Sequence, residues 1–200
     1  EALLEVKLLD NGRVVETYQL TVEQSTLSGS GTAEAPYTVS APAELAFIAE
    51  QVKNGNYYSG KVIQLTQDID LNGTALSIGE SAASATGKYF EGTFDGNDHA
   101  IKNLKINDTG TGYVGLFTFV WDGTVKNLTL ENPYVEASTS AKGVGAFVAN
   151  NRGTIDNCKV VNPVVKGGKR VGSLVGWNAT GAIKNCQVTN TDVSGEDSVG

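Results

Sequence analysis

Two short signals recur in register through the C-terminal half of this chain. Val114-Gly115, Val144-Gly145, Val171-Gly172 and Val199-Gly200 follow one another at spacings of 30, 27 and 28 residues. Between them run Gly123 to Leu130 (GTVKNLTL), Gly153 to Val160 (GTIDNCKV) and Gly181 to Val188 (GAIKNCQV). The segment from Ala100 to Ile106 (AIKNLKI) reads as an earlier copy. A further short apolar stretch follows the later copies, at Pro133-Tyr134-Val135, Pro163-Val164-Val165 and Thr191-Asp192-Val193. Each unit of about 28 residues thus holds some three short strands bounded by Gly, Asn or Asp turns. A unit that small cannot bury its own apolar side, but stacked copies can. The segments are rich in Val, Ile, Thr and Gly and carry no 3.6-residue stripe, which excludes a helical repeat. The fold class that remains is all-β: a parallel β-helix, or solenoid, with coils about 4.8 Å apart.

Within each copy the apolar positions fall at i, i+3 and i+5, as in Ile155, Cys158 and Val160. The offset predicts a corner at the intervening asparagine, a residue that tolerates left-handed backbone. Asn103, Asn127, Asn157 and Asn185 are therefore expected to form a structural ladder along the solenoid. Cys158 and Cys186 occupy the apolar slot after that corner, where Leu104 and Leu128 sit in earlier copies, and are expected as buried free thiols.

The N-terminal part differs. Residues 1–25 read as a β-hairpin around Asn11-Gly12, either docked on the solenoid or the tail of a preceding domain. Residues 26–60 read as a linker followed by a capping α-helix, with Leu45, Ile48 and Val52 on one side and Asn54-Gly55 at its end. A helix there would cover the open end of the first coil. Residues 61–200 are then the β-helix, which breaks off inside a repeat at Ser198-Val199-Gly200, as a chain that continues would.

These residues resemble a known family. Gly29 to Tyr37 (GSGTAEAPY), the helix, Leu65 to Leu71 (LTQDIDL), Phe90 to Asn97 (FEGTFDGN), Ile101 to Leu104 and Val114 to Phe117 follow in the order seen in GLUG-repeat proteins. The motif that names the family, Gly-Leu-apolar-Gly, survives as Gly115-Leu116-Phe117, Gly145-Ala146-Phe147 and Gly172-Ser173-Leu174-Val175-Gly176. Asp98 stands where the family usually has Gly. The resemblance covers residues 27–200 and implies a right-handed β-helix on secreted or surface-anchored bacterial proteins, often adhesins. Similar repeats also accompany IgA-specific metallopeptidases.

With 22 acidic and 15 basic residues the net charge is −7, and no basic cluster interrupts it, which argues against nucleic acid and anionic membranes. No apolar run is long enough to span a bilayer as a helix. The lone His99 has no Ser or Cys nucleophile motif beside it, and no His-Glu-x-x-His segment exists. Asp68-Ile69-Asp70-Leu71-Asn72-Gly73 opens like a calcium loop, but its twelfth position is Gly79 rather than a bidentate Glu. No metal and no cofactor are therefore expected. Asn-x-Thr triplets at Asn72, Asn107, Asn127 and Asn178 carry no weight in a bacterial protein. The scattered carboxylates Asp95, Asp98, Asp108, Asp122, Glu131 and Asp156 do not recur at one column, so no catalytic residue is assigned.

The aromatic pair is more suggestive. Trp121 and Trp177 are predicted to lie in matching turns two coils apart, about 10 Å from each other. Asp122, Asn150, Asn151, Arg152 and Asn178 would flank such a platform and meet sugar hydroxyls. The leading expectation is a non-enzymatic surface module for adhesion or glycan binding. Its partner would be a host or dietary glycan, or a host surface protein, and any leader or anchor would lie outside these residues. A passive stalk displaying another domain is the alternative, and a β-helix polysaccharide lyase or hydrolase is the third reading.

Overall fold

The structure is a computed structural model and describes residues 2–22, 27–80 and 87–200. From Tyr37 onward the strands wind into a parallel solenoid of stacked coils. Each full coil holds five short strands rather than three. Residues 93–120 contain Thr93–Asp95, Ala100–Lys102, Lys105–Asp108, Tyr113–Val114 and Phe117–Val120. Coils 124–151 and 154–178 repeat the five, and coil 182–199 repeats the first four. Thr93, Thr124, Thr154 and Ala182 stand in one column, at steps of 31, 30 and 28 residues. The two faces unforeseen from the sequence are those of Tyr113–Val114 and Phe117–Val120. Phe117–Val120 and Val148–Asn151 are buried at every residue and so lack the in-out alternation that marks a strand.

Columns of apolar side chains fill the interior. Ile63, Phe94, Val125 and Ile155 form one, Ile69, Ile101, Leu130 and Val160 a second, and Val114, Val144 and Val171 a third; all are buried. Each such side chain contributes about 1.5–3 kcal/mol on burial. The recurring Val-Gly signal has a steric cause. A Cβ on Gly115 would collide with the Gly145 carbonyl oxygen of the next coil, and one on Gly145 with the Val148 carbonyl. Valine fills the core while the glycine beside it lets neighbouring backbones close up.

The asparagines form two ladders, not one. At the corner after the first face stand Asn127, Asn157 and Asn185, all with positive φ. Asn103 belongs to a second corner, after the second face, together with Asn132, Asn162 and Asn190. In that second ladder Asn132 Nδ2 donates to Asn103 Oδ1 (3.4 Å), Asn162 to Asn132 (2.9 Å) and Asn190 to Asn162 (2.9 Å). Asn103 itself donates to Asp70 Oδ1 at 2.9 Å. In the first ladder Asn157 donates to Asn127 (2.9 Å) and Asn127 to Asp95 Oδ1 (3.0 Å), while Asn185 turns to Asp156 Oδ1 (2.9 Å). Both ladders thus begin on a carboxylate. The bonds from the Asn103 amide and the Asn72 N–H hold the Asp70 carboxyl below the usual carboxylate range. Burial pushes Asp95 up, but Asn127, the Asn97 N–H and Lys126 together outweigh it and leave this carboxyl low as well.

Leu104 moves with Asn103. The Tyr134 N–H bonds the Leu104 carbonyl, which puts Leu104 in register with Pro133. The slot holding Leu128, Cys158 and Cys186 is preceded instead by His99, whose carbonyl accepts the Thr129 N–H. Both cysteines are free thiols; Cys158 is fully buried, which pushes its pKa up to about 12, and Cys186 is half-buried. Asp98, at the position usually glycine, has φ 63°, a left-handed conformation that Asp adopts more readily than most residues.

Helix Pro42–Lys53 fills the first turn in place of strands. Pro42 opens it, and the Glu44 carboxylate accepts the Ser40 and Ala41 N–H groups at 2.6 and 3.1 Å, a reach-back that satisfies donors at the helix start. Leu45, Ile48, Ala49 and Val52 enter the same core as the first rungs. Residues 28–36, expected as linker, form a tight loop in which three N–H groups converge on the Ala35 carbonyl and Ser28 pairs with Thr38. Strands Ala2–Asp10 and Arg13–Val22 pair antiparallel around Asn11-Gly12, whose φ values of 47° and 77° suit a two-residue hairpin turn.

Candidate functional site

On the fifth face the coils stop repeating one residue type. The column running outward there reads Phe119, Asn150, Trp177, and the next reads Val120, Asn151, Asn178. Trp177 is thus in register with Phe119, and Trp121 stands beside Arg152. The two tryptophans do not form the matched pair expected from the sequence. Trp177 stands four residues before Gly181, as Phe119 stands four before Gly123, whereas Trp121 stands only two before Gly123, so the two indoles fall in different columns.

What the structure builds instead is a chain of rings. Tyr57 stacks on Tyr89 at 4.4 Å between centroids, and Tyr89 meets Trp121 at 5.6 Å. Trp121 stacks on Phe119 at 5.5 Å. Phe119 meets Tyr113 edge-on at 6.1 Å, and Tyr113 stacks on Trp177 at 6.2 Å. The Tyr113 ring reaches across a coil because Gly143 lies beneath it; a Cβ there would stand 3.2 Å from Tyr113 Cδ1. From Tyr89 through Phe119 and Asn150 to Trp177 the strip covers three coil steps, about 14 Å. Tyr57, Tyr89, Trp121 and Trp177 are half-buried, each with part of its ring in water.

Two arginines lie on these rings. The Arg152 guanidinium carbon is 4.5 Å from the Trp121 ring centre and 5.8 Å from that of Phe119. That of Arg170, held at φ 50°, is 4.2 Å from Trp177. Such stacking on indole is favourable by about 0.5–2 kcal/mol. Asn150 is 1 % exposed, and its Oδ1 has no hydrogen-bond partner; Arg152 Nε is likewise buried and unpartnered. Asn151 is engaged structurally, donating to Asn178 Oδ1 at 2.9 Å and accepting the Gly153 N–H at 3.1 Å. Asn178 closes its turn by donating to the Gly181 carbonyl at 3.0 Å. Asp122 is exposed in a left-handed turn and lines a separate shallow cavity with Ser59, Glu91 and Thr93.

Of the residues singled out in the sequence, the structure therefore gathers Trp121, Arg152, Asn150 and Trp177 into one strip, and places Asn151, Asn178 and Asp122 beside it in turns. Tyr57, Tyr89, Tyr113, Phe119 and Arg170 are the members that sequence reasoning missed. A signal was present: Tyr57, Tyr89 and Phe119 follow at 32 and 30 residues, close to one coil.

Elsewhere the titratable groups are tied into structure. Asp68 accepts the Ala100 N–H (2.9 Å), pairs with Lys102 (2.8 Å) and lies 3.5 Å from His99 Nδ1. The Lys102 contact, with the Ala100 N–H, holds Asp68 low, and Asp68 in turn raises Lys102. Asp70 accepts the Asn72 N–H at 2.8 Å, so both acids of the calcium-like stretch are already occupied. Among the described residues no three His, Cys, Asp or Glu side chains are grouped to hold a metal. A cavity of about 520 Å³ on the third face is lined by Lys105, Asp108, Tyr134 and Glu136; the Tyr134 hydroxyl bonds Glu136, and Lys105 and Lys166 lie 5.8 and 5.4 Å from the Tyr134 ring centre. No helix among the described residues is long and apolar enough to cross a membrane.

Comparison with known proteins agrees with this architecture. Residues 167–194 match the family described as the GLUG motif. Halomucin of Haloquadratum walsbyi is 34% identical over 155 residues, covering 74% of this chain and 2% of halomucin. A protein of Evansella cellulosilytica named as a Gly-rich membrane protein is 33% identical over 186 residues, covering 76% of this chain and 21% of that protein. The chain thus spans only a small part of these relatives. A crystal structure from Bacteroides ovatus, described as that of a candidate immunoglobulin A1 protease, superposes with a TM-score of 0.48 at 19% identity, over 86% of this chain and 69% of that one, too loose a likeness to bear on function. The matched segment is one coil of a stack whose other coils share its Val-Gly pair and its corner asparagines, and the chain carries the GLUG motif in that coil.

Proposed function

We propose that this chain is a non-enzymatic module of a surface protein and adheres by binding glycan chains along the fifth-face strip. The observation that carries the reading is the chain of six rings across successive coils, four of them half-buried and open to solvent. Aromatic rings offer flat apolar contact to the apolar faces of sugars, and the polar edges of Tyr, Trp and Arg meet hydroxyls. A strip this long suits a polymer better than a small molecule. The names of the two relatives, a mucin-like one and a membrane protein, support placement outside the cell.

The test is a glycan array carrying host mucin glycans and dietary polysaccharides, probed with the parent protein, Trp121→Ala and Trp177→Ala. A specific signal lost in both variants, with thermal midpoints lowered by about 2–8 °C and the fold retained, is the expected result. A blank array with folded protein overturns the reading in favour of a passive stalk. The stalk has its own support: core columns and asparagine ladders account for every repeated residue without any ligand.

A further inference from the structure

We propose that the glycan taken by this strip is acidic, with sugar units bearing carboxylate or sulfate, and that Arg152 and Arg170 grip those groups. The inference rests on the glycan-binding reading above and names its ligand class. Among the described residues neither Arg152 nor Arg170 makes an ion pair, so each guanidinium on the strip keeps a charge that no contacting carboxylate neutralises. Arg152 stands in register between Trp121 and Ala179. Arg170 donates one hydrogen bond, to the Lys142 carbonyl at 3.4 Å, and has Ser198 as its neighbour on the next coil, while Asp197 is in register with Lys169.

Stacking on an indole desolvates one face of a guanidinium; at Arg152 Nε is buried as well, which leaves the two Nη groups as the donors that can meet a ligand. Those donors form a rigid fork that matches a carboxylate or sulfate with two parallel bonds. The rings under both arginines fix the forks in advance, so little side-chain entropy is lost when an anion docks. A cavity of about 960 Å³ opens beside the second fork, lined by Tyr113, Lys169, Arg170 and Trp177, with Glu196 and Asp197 also on its wall. Each indole already carries a ring and a guanidinium, so the strip offers water a row of cations on aromatic edges. That surface is complementary to a regularly charged polymer.

The experiment measures binding of the 200-residue chain to four polymers: polygalacturonate, its carboxyl-reduced neutral form, dextran sulfate and dextran. Binding to either acidic polymer, at least tenfold tighter than to its neutral counterpart and weakened by salt, is the expected result. Arg152→Gln and Arg170→Gln should each weaken it about tenfold, the cost of losing one charge-assisted contact. Arg152→Lys and Arg170→Lys, which keep charge but lose the fork, should fall between. Circular dichroism and the thermal midpoint of each variant establish that it is folded. Preference between the two acidic polymers tells carboxylate from sulfate. Equal binding to neutral polymers, unchanged in the Gln variants, overturns the acidic ligand while leaving glycan binding in place. No binding to any of the four overturns both.

Discussion

The asparagine corners of the solenoid and its fifth face belong to the same stacked coils, yet they are written differently. At the second asparagine corner one residue type recurs on four coils, Asn103, Asn132, Asn162 and Asn190, and each amide bonds its neighbour. On the fifth face one column runs Phe119, Asn150, Trp177, and its ring contacts pass between columns rather than along one. Identity down a column is what a stack needs to hold itself together. Departure from identity, where the last ring of the column stays half-exposed, needs another cause. In a repeat protein the irregular positions are therefore where a ligand is to be sought.

That contrast is open to attack by substitution. The largest stability loss should come from a rung of the regular side. Phe94 is fully buried against Phe90 and Phe117, and Phe94→Ala should cost about 3–5 kcal/mol, read as a shift of the urea midpoint. Asn162→Ala comes next. It leaves at φ 51° a side chain without the polar group that eases left-handed backbone, and strips two amide bonds, for about 2–3 kcal/mol, whereas Asn162→Gly should recover the backbone share. Trp177→Ala should cost less, about 1–2 kcal/mol, since the indole is only half-buried, while removing affinity for whatever polymer the array identifies. Should Trp177→Ala destabilise more than Asn162→Ala, the fifth face would be structure and the contrast would fail.

The smallest effect is in pH. Asp95 and Asp70, at the start of the ladders, have folded pKa values below their unfolded ones. Their contribution is therefore complete above the unfolded value, about 3.9, and is lost as pH falls through the lower folded value. Thermal midpoints should be flat near neutrality and drop below about pH 4. Asp95→Asn should shallow that drop, and an unchanged acid limb in the variant would remove Asp95 from the account.

The solenoid was legible in the sequence because its grammar is local. Apolar rungs, corner asparagines and Val-Gly pairs each recur within a few residues. The assignment of Asn103 failed for a related reason. Both corners obey the same rule, an apolar residue, a spacer, Asn in left-handed backbone, then apolar again, so one can be laid over the other without any local mismatch. The inter-coil register separates them, with Lys102 against Glu131 and the Tyr134 N–H on the Leu104 carbonyl, and that register has no signature in a linear pattern. The same limit applied to the strip. Trp121 and Trp177 stood out by composition, but Tyr113 reaching over Gly143 depends on which residues stack two coils apart. Arg170 was invisible until the register put it on Trp177.

The amides of the second ladder all face the same way. Asn132, Asn162 and Asn190 each give their N–H to the coil before, the oxygens of Asn103, Asn132 and Asn162 each accept from the coil after, and Asn103 ends the series on Asp70, a pure acceptor. Every interior rung is therefore interchangeable with its neighbours, whereas the first is not. A tandem duplication of one coil within the stack would leave each donor matched and each acceptor used, lengthening the rod by about 4.8 Å and changing nothing else in its chemistry. Gene duplication can thus lengthen or shorten this rod in whole steps, and carry the aromatic strip to a chosen distance, without having to invent a new starting rung.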